Sequence, residues 1–307
     1  DHVLILSVDG LRPDALAVTG PERLPNFARL LQGCCTLDAR CDPDWSVTLP
    51  NHVGMLTGRF VEGEHGHGWT LNDMPPPGML LRPDMDSVIH VATRAGLRTG
   101  AFAAKKKFVL LSSSWGPMIQ DFGIEESAFA VVGRVCQFWA GSPAPSLAFA
   151  HVAEPDAAGH AEGWTLDPDS PYSAAIARVD VALGVLFEWL DAHPEQRAHT
   201  AIILTADHGG GVPLKNHHGA ERALLNRRIP FLVWTGNGAA HGELYALNPK
   251  HYAAPLEQDP DRSARGAPPV RNSDAANLTL DLLGLPPLED ADANPRQELR
   301  IVPRTTP

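Results

Sequence analysis

The sequence predicts an α/β protein of three layers, a largely parallel central sheet with helices on both faces. Three observations lead there. Residues 2–8, 146–152 and 200–206 are short apolar runs without strict alternation, the pattern of strands buried on both faces. Helical patterns separate them, the longest an amphipathic stretch over 171–192. Each of the three runs is also followed within a few residues by an aspartate: Asp9, Asp156 and Asp207.

In chain order, residues 2–8 read as the first strand and 22–33 as a helix ending near Gly33. Thr48-Leu49-Pro50 and the apolar-periodic stretch to Gly58 read as a helix with Thr48 at the N-cap, proline in the first turn and glycine past the end. A loop rich in Gly, His and Pro occupies 63–83, before a helix around 84–95 and a strand around 98–103. After the 146–152 strand comes a polar loop carrying Asp156, then the 171–192 helix and the 200–206 strand. A further strand is expected over 229–234, a surface excursion rich in Pro, Ala and charge over 240–272, and a last helix over 273–284. No repeat or boundary divides the chain, so one catalytic domain over 1–307 is expected.

With 307 residues, 44% hydrophobic and 20% charged, the chain is of globular rather than disordered composition. No apolar run approaches the ~20 residues of a membrane span. A formal net charge of −11 argues against a nucleic-acid polymer as partner, because no basic stripe exists to meet a phosphate backbone. An acidic protein that handles a small anion needs a local positive centre, which metal ions can supply. Cys34, Cys35, Cys41 and Cys136 fit neither a zinc-finger spacing nor a disulfide framework. Buried thiols are expected, with one bridge from Cys41 to Cys34 or Cys35 as the alternative in an exported protein. The chain opens on its first strand without an initiating Met, so a removed leader and an extracytoplasmic setting are expected. The oligomeric state is not legible.

Histidines accompany the aspartates: His160 four residues after Asp156, His208 beside Asp207, and His217-His218 shortly beyond. In open α/β sheets ligands bind outside the carboxyl ends of strands, so three strand-end aspartates point to a cation site. Mixed imidazole and carboxylate donors suit zinc best, with manganese and iron as competitors.

Val8-Asp9-Gly10, Thr48-Leu49-Pro50-Asn51-His52, Asp156-Ala-Ala-Gly-His160, Asp207-His208-Gly209 and His218-Gly219 occur in the order found in the type I phosphodiesterase and nucleotide pyrophosphatase branch of the alkaline phosphatase superfamily. The chain resembles that branch over nearly its whole length. The resemblance implies an alkaline phosphatase-like fold and a two-metal phosphodiesterase acting on a small phosphorus-containing anion. It places Asp156, His160 and His218 on one zinc, and Asp9, Asp207 and His208 with Thr48 on the second. His218 is preferred to its neighbour His217 because the resembling families set the ligand directly before Gly. Thr48 would be the nucleophile, since coordination activates a hydroxyl that is otherwise weak, and a covalent phosphoryl-threonine would form and be hydrolysed. His52 reads as helix packing and Thr57 as structural.

Asn72 corresponds to the branch's phosphate-binding amide. Ala103-Ala104-Lys105-Lys106-Lys107 is similar to the Ala-Lys-x-Lys segment of phosphonoacetate hydrolases, which would assign Lys105 and Lys107 to substrate. A phosphonate or phosphomonoester hydrolase on the same core is therefore the alternative activity. One departure bears on substrate. Only residues 209–217 separate His208 from His218, where phosphonate hydrolases and eukaryotic phosphodiesterases carry a large insertion.

Overall fold

In a computed structural model, residues 1–142, 144–219, 223–256, 259–263 and 266–302 are described. Eight strands form one sheet: β1 (His2–Val8), β2 (Cys34–Arg40), β3 (Arg98–Ala103), β4 (Asp121–Ile124), β5 (Ser146–Val152), β6 (Thr200–Thr205), β7 (Arg228–Thr235) and β8 (Gly242–Glu243). Their spatial order is β4-β3-β5-β1-β6-β7-β2-β8. All neighbours are parallel except around β7, which runs antiparallel to both β6 and β2. Every residue of β1, β5 and β6 is buried, so the central strands are apolar on both faces rather than alternating.

Helices cover both faces. The Pro171–Ala192 helix packs with the helices Pro25–Leu31, Ala128–Ala140 and Glu154–Glu162, while Asp274–Leu282 packs with Thr48–Thr57 and Val88–Arg94. This is the expected three-layer architecture with a mostly parallel sheet.

Local chemistry moves several expected boundaries. The helix expected over 22–33 spans Pro25–Leu31, because Pro25 with its fixed φ sits at the first turn. The one expected from 84 begins at Val88, where the Ser87 side chain accepts from the His90 N–H. Thr48 is the first residue of its helix rather than its N-cap. Val47 holds the cap position, with no side-chain cap bond, and Gly58 ends the helix at φ 70°.

The polar loop expected after β5 is the helix Glu154–Glu162. It has proline and two acidic residues in its first turn and Gly163 (φ 102°) at its end. Sequence reading also passes over β2, whose polar Thr, Asp and Arg mask a strand, and the Ala128–Ala140 helix, interrupted by Gly133 and valines. Within 240–272 lie β8 and a ribbon pairing Pro255–Leu256 with Asp259–Ser263, while 257–258 and 264–265 fall outside the described residues. All four cysteines are free, and burial pushes the thiols of Cys34, Cys41 and Cys136 up to about 12.

Candidate metal centre

Strand register builds the site. Ala103 of β3 lies beside His151 of β5, Val8 of β1 beside Val152, and Ser7 beside Thr205 of β6, so four contiguous parallel strands end almost level. Just beyond those ends stand Lys105, Asp156, Asp9 and Asp207. Gly10 makes the turn after Asp9 at φ +69°, and a Cβ there would lie 3.0 Å from the Asp156 Cα. A side chain at that position would force the β1 and β5 ends apart.

The expected ligands converge. His208 Nε2 lies 3.5 Å from Asp9 Oδ1, 3.3 Å from Asp207 Oδ2 and 4.0 Å from Asp156 Oδ1. His218 Nε2 lies 3.7 Å from Asp156 Oδ1, and His160 Nε2 is 3.4 Å from the same oxygen and 3.1 Å from His218 Nε2. The three aspartates and His208 are buried, and His160 forms the solvent edge with its side chain 48% exposed. His208 stands between the two groups, within reach of Asp9 and Asp207 on one side and of Asp156 and His218 on the other. His217 lies outside, exposed and bonded to Asn216.

The hydrogen bonds set the tautomers. Nδ1 of His160, His208 and His218 each donates to a backbone carbonyl, of Asn216, Gly209 and Ser46 at 3.2, 2.8 and 2.7 Å. All three therefore turn Nε2 into the cluster, the arrangement of a histidine ligand held by a backbone acceptor. Two of these nitrogens meet at the 3.1 Å approach of His160 and His218, a contact that a shared cation or a shared proton reconciles. Burial lowers the pKa of His208, and burial together with His208 lowers that of His218 to about 2, so both are neutral.

Asp9 Oδ1, Asp156 Oδ1, Asp207 Oδ2 and His208 Nε2 are buried with no hydrogen-bond partner. Four orphaned acceptors facing one point are costly in a native fold unless a cation meets them, so the donor set fits divalent metal. Charge says the same. Lys105 Nζ lies 2.7 Å from Asp9 and 2.6 Å from Asp156, one ammonium against three carboxylates. Burial opposes the charge of Asp9, yet Lys105 and the His151 bond hold its carboxyl well below the ordinary range. Asp207 is pushed well above it by burial and by the charge of Asp9.

The Thr48–Thr57 helix starts at this cluster. Thr48 is buried, with its carbonyl accepting from His52 Nδ1 (2.7 Å), and His52 in turn lies 3.8 Å from Asp207. The preceding segment carries the Ser46 carbonyl that orients His218. Asn72 Oδ1 accepts from the Leu49 N–H and from Lys107 Nζ, both at 2.9 Å. Burial and the neighbouring Lys105 lower the Lys107 pKa. Thr48, Asn72 and both lysines thus sit with the ligand cluster. Thr57 instead donates to the Val53 carbonyl within its helix.

Residues 3–272 match the type I phosphodiesterase / nucleotide pyrophosphatase family. The chain belongs to that family. By membership it is a hydrolase of phosphoric esters, in a family typically dependent on two metal ions. Among solved structures, murine ectonucleotide pyrophosphatase/phosphodiesterase 5, in an inactive threonine-to-alanine form in complex with AMP, is 18% identical. It superposes with a TM-score of 0.61 over 93% of this chain and 95% of that one. A 2-O GAG sulfatase is 13% identical, with a TM-score of 0.65 over 99% of this chain and 75% of the other. At those identities the likeness is one of fold. No curated protein matches.

Sequence reading misses two supports of this phosphodiesterase-family site. His151, on β5, donates from Nε2 to Asp9 (2.9 Å) while its Nδ1 accepts from the Ala104 N–H (3.3 Å). Its tautomer is the reverse of the other three, so it orients a carboxylate rather than offering a lone pair. A histidine inside a buried, mostly apolar strand was the available signal. Asn272 donates to Asn51 (3.0 Å) and to the Ala206 carbonyl (3.2 Å), tying the Thr48 helix to the end of β6. No local pattern announces a contact of that sequence separation.

Proposed function

We propose that the chain cleaves a small, nucleotide-like phosphodiester through Thr48 at a centre of two divalent cations. The observation that carries this is the meeting of four orphaned ligand atoms beside the start of the Thr48 helix. Asp156, His160 and His218 hold one cation, and Asp9, Asp207 and His208 with Thr48 hold the other. When bound there, the cations, zinc by donor chemistry with manganese or iron as alternatives, supply Lewis acidity to the entering and leaving oxygens of an in-line displacement.

The chain's own groups do the rest. The Thr48 hydroxyl would lose its proton to solvent as its oxygen bonds to phosphorus, the bond to the leaving oxygen would break with that oxygen taking up a proton, and the phosphoryl group with its remaining ester substituent would stay on Thr48 until water removes it. Asn72, its Oδ1 engaged by Leu49 and Lys107, turns its amide N–H groups to a non-bridging oxygen. The murine neighbour, solved with AMP as an inactive threonine-to-alanine form, supports both the nucleophile and the substrate class.

A second reading, a phosphonate or phosphomonoester hydrolase, is favoured by Lys105 and Lys107, which bring two ammonium groups to the centre for a doubly charged substrate. Turnover of bis-p-nitrophenyl phosphate, p-nitrophenyl phosphate and phosphonoacetate separates the two. Preference for the diester supports the first reading, preference for either of the others supports the second, and no turnover of any by the zinc-loaded protein refutes both.

A further inference from the structure

Trp164 is a buried indole outside every motif discussed so far, 3% exposed, just past the Glu154–Glu162 helix. Its Nε1–H donates to the Gly10 carbonyl at 2.9 Å, directly after Asp9. Its ring meets His160 edge-on at 5.1 Å between centroids and His218 at 5.7 Å. Its backbone N–H donates to the Lys215 carbonyl at 2.8 Å, three residues before His218. Two glycines are shaped around it. A Cβ on Gly159, next to His160, would lie 2.4 Å from Trp164 Cε2, and one on Gly210, two residues after His208, would lie 2.3 Å from the same atom.

One side chain thus touches the segments that carry Asp9, Asp156 with His160, Asp207 with His208, and His218. The surroundings fix its own position. Tyr172 donates to the same Gly10 carbonyl (2.8 Å), and Arg12 reaches the Trp164 and Gly210 carbonyls at 3.3 and 3.4 Å. His160 is the most exposed member of the cluster; its ring is set by the Asn216 carbonyl, by His218 and Asp156, and by this indole. A rigid, flat group that locks several ligand-bearing loops at once lowers the freedom each must lose when a cation binds.

We propose that Trp164 is a positioning residue for the metal centre, acting through His160, His218 and the Gly10 turn rather than on substrate. The proposal rests on the two-cation reading above. The test uses the full chain and metal alone: zinc affinity by chelator competition, and the visible spectrum of the cobalt(II)-loaded protein, which reports ligand geometry. Trp164→Leu should weaken zinc binding about 10- to 100-fold and change the cobalt bands. Trp164→Phe keeps an aromatic edge and loses the Gly10 bond, so it should recover most of that loss.

Wild-type zinc affinity and an unchanged cobalt spectrum in a folded Trp164→Leu protein would overturn the proposal. Should that variant fail to fold, Gly159→Ala carries the same test. Alanine suits a helix better than glycine, yet its methyl displaces the indole, so weaker zinc binding is expected and wild-type affinity refutes the role. A wild-type chain that binds no zinc tightly would instead sink the two-cation reading itself, whatever the variants do.

Discussion

Thr48→Ala separates chemistry from folding more cleanly than any other change at this centre. The helix it opens takes no side-chain cap from Thr48, because Val47 occupies the cap position, and alanine is a good helix former. What the fold loses is little more than one buried methyl and a hydroxyl, about 1 kcal/mol. For a chain of this size that lowers Tm by only about 2–4 °C. Of the proposed ligands only the Thr48 oxygen is lost; the side chains of Asp9, Asp156, His160, Asp207, His208 and His218 remain, so metal should still bind. Turnover, by contrast, loses its attacking oxygen and should fall about 10³- to 10⁶-fold, the range of nucleophile deletions. That equals about 4–8 kcal/mol of barrier, several times the stability cost. The assay is hydrolysis of bis-p-nitrophenyl phosphate by variants matched for metal content, with acid-quench mass spectrometry of the wild type to find Thr48 carrying a p-nitrophenyl phosphoryl group. Thr48→Ser should retain far more activity than the alanine variant. Near-wild-type turnover by a metal-replete alanine variant would show that another group attacks phosphorus.

Prolonged chelation should abolish turnover, with zinc or manganese restoring it. Full activity in a preparation shown by elemental analysis to be metal-free would end the two-cation reading. Relative to an Asp207→Asn variant, the metal-free wild type should lose stability as pH rises above the ordinary carboxylate range; the variant carries the same lowered histidines, whose own contribution rises with pH and cancels in the difference. The raised Asp207 favours folding while it is protonated and withdraws that contribution as pH climbs through its raised pKa. Added zinc should change this difference in thermal melts, and a metal-free difference independent of pH above 4 would contradict it. Replacing Lys105 or Lys107 by Ala should lower kcat/KM more for a doubly charged substrate than for a neutral-tailed diester. Equal, negligible losses on both would return the lysines to a role outside substrate binding.

The sequence disclosed what is local and left out what is distant. Predominantly apolar runs marked β1, β5 and β6 because strands buried on both faces have little room for polar residues. The strand-end aspartates were legible for the same reason, as acidic residues closely following such runs. The Glu154–Glu162 helix was misread as a loop because its composition is polar, although Pro155 and the acidic first turn follow the rules of a helix start. Its i,i+4 spacing is what sets His160 Nε2 3.4 Å from Asp156. Support from His151, Asn272 and Trp164 depends on contacts between segments up to 221 residues apart, which no window of sequence contains.

Electrostatics explains why so acidic a chain can work on anions. Without cations, three carboxylates face the ammonium groups of Lys105 and Lys107, so the centre offers an approaching phosphate no net positive charge. On the two-cation reading, four positive charges added there make the site attractive to an anion. The neutral histidines contribute lone pairs without charge, since burial keeps His208 and His218 deprotonated. On the proposed reading, metal would do more than activate an oxygen: substrate affinity itself would be linked to metal occupancy. The carboxylates that cancel the lysine charges in the metal-free centre would be the ones that hold the cations. By linkage, a phosphate ester bound at the site must in turn tighten the metals.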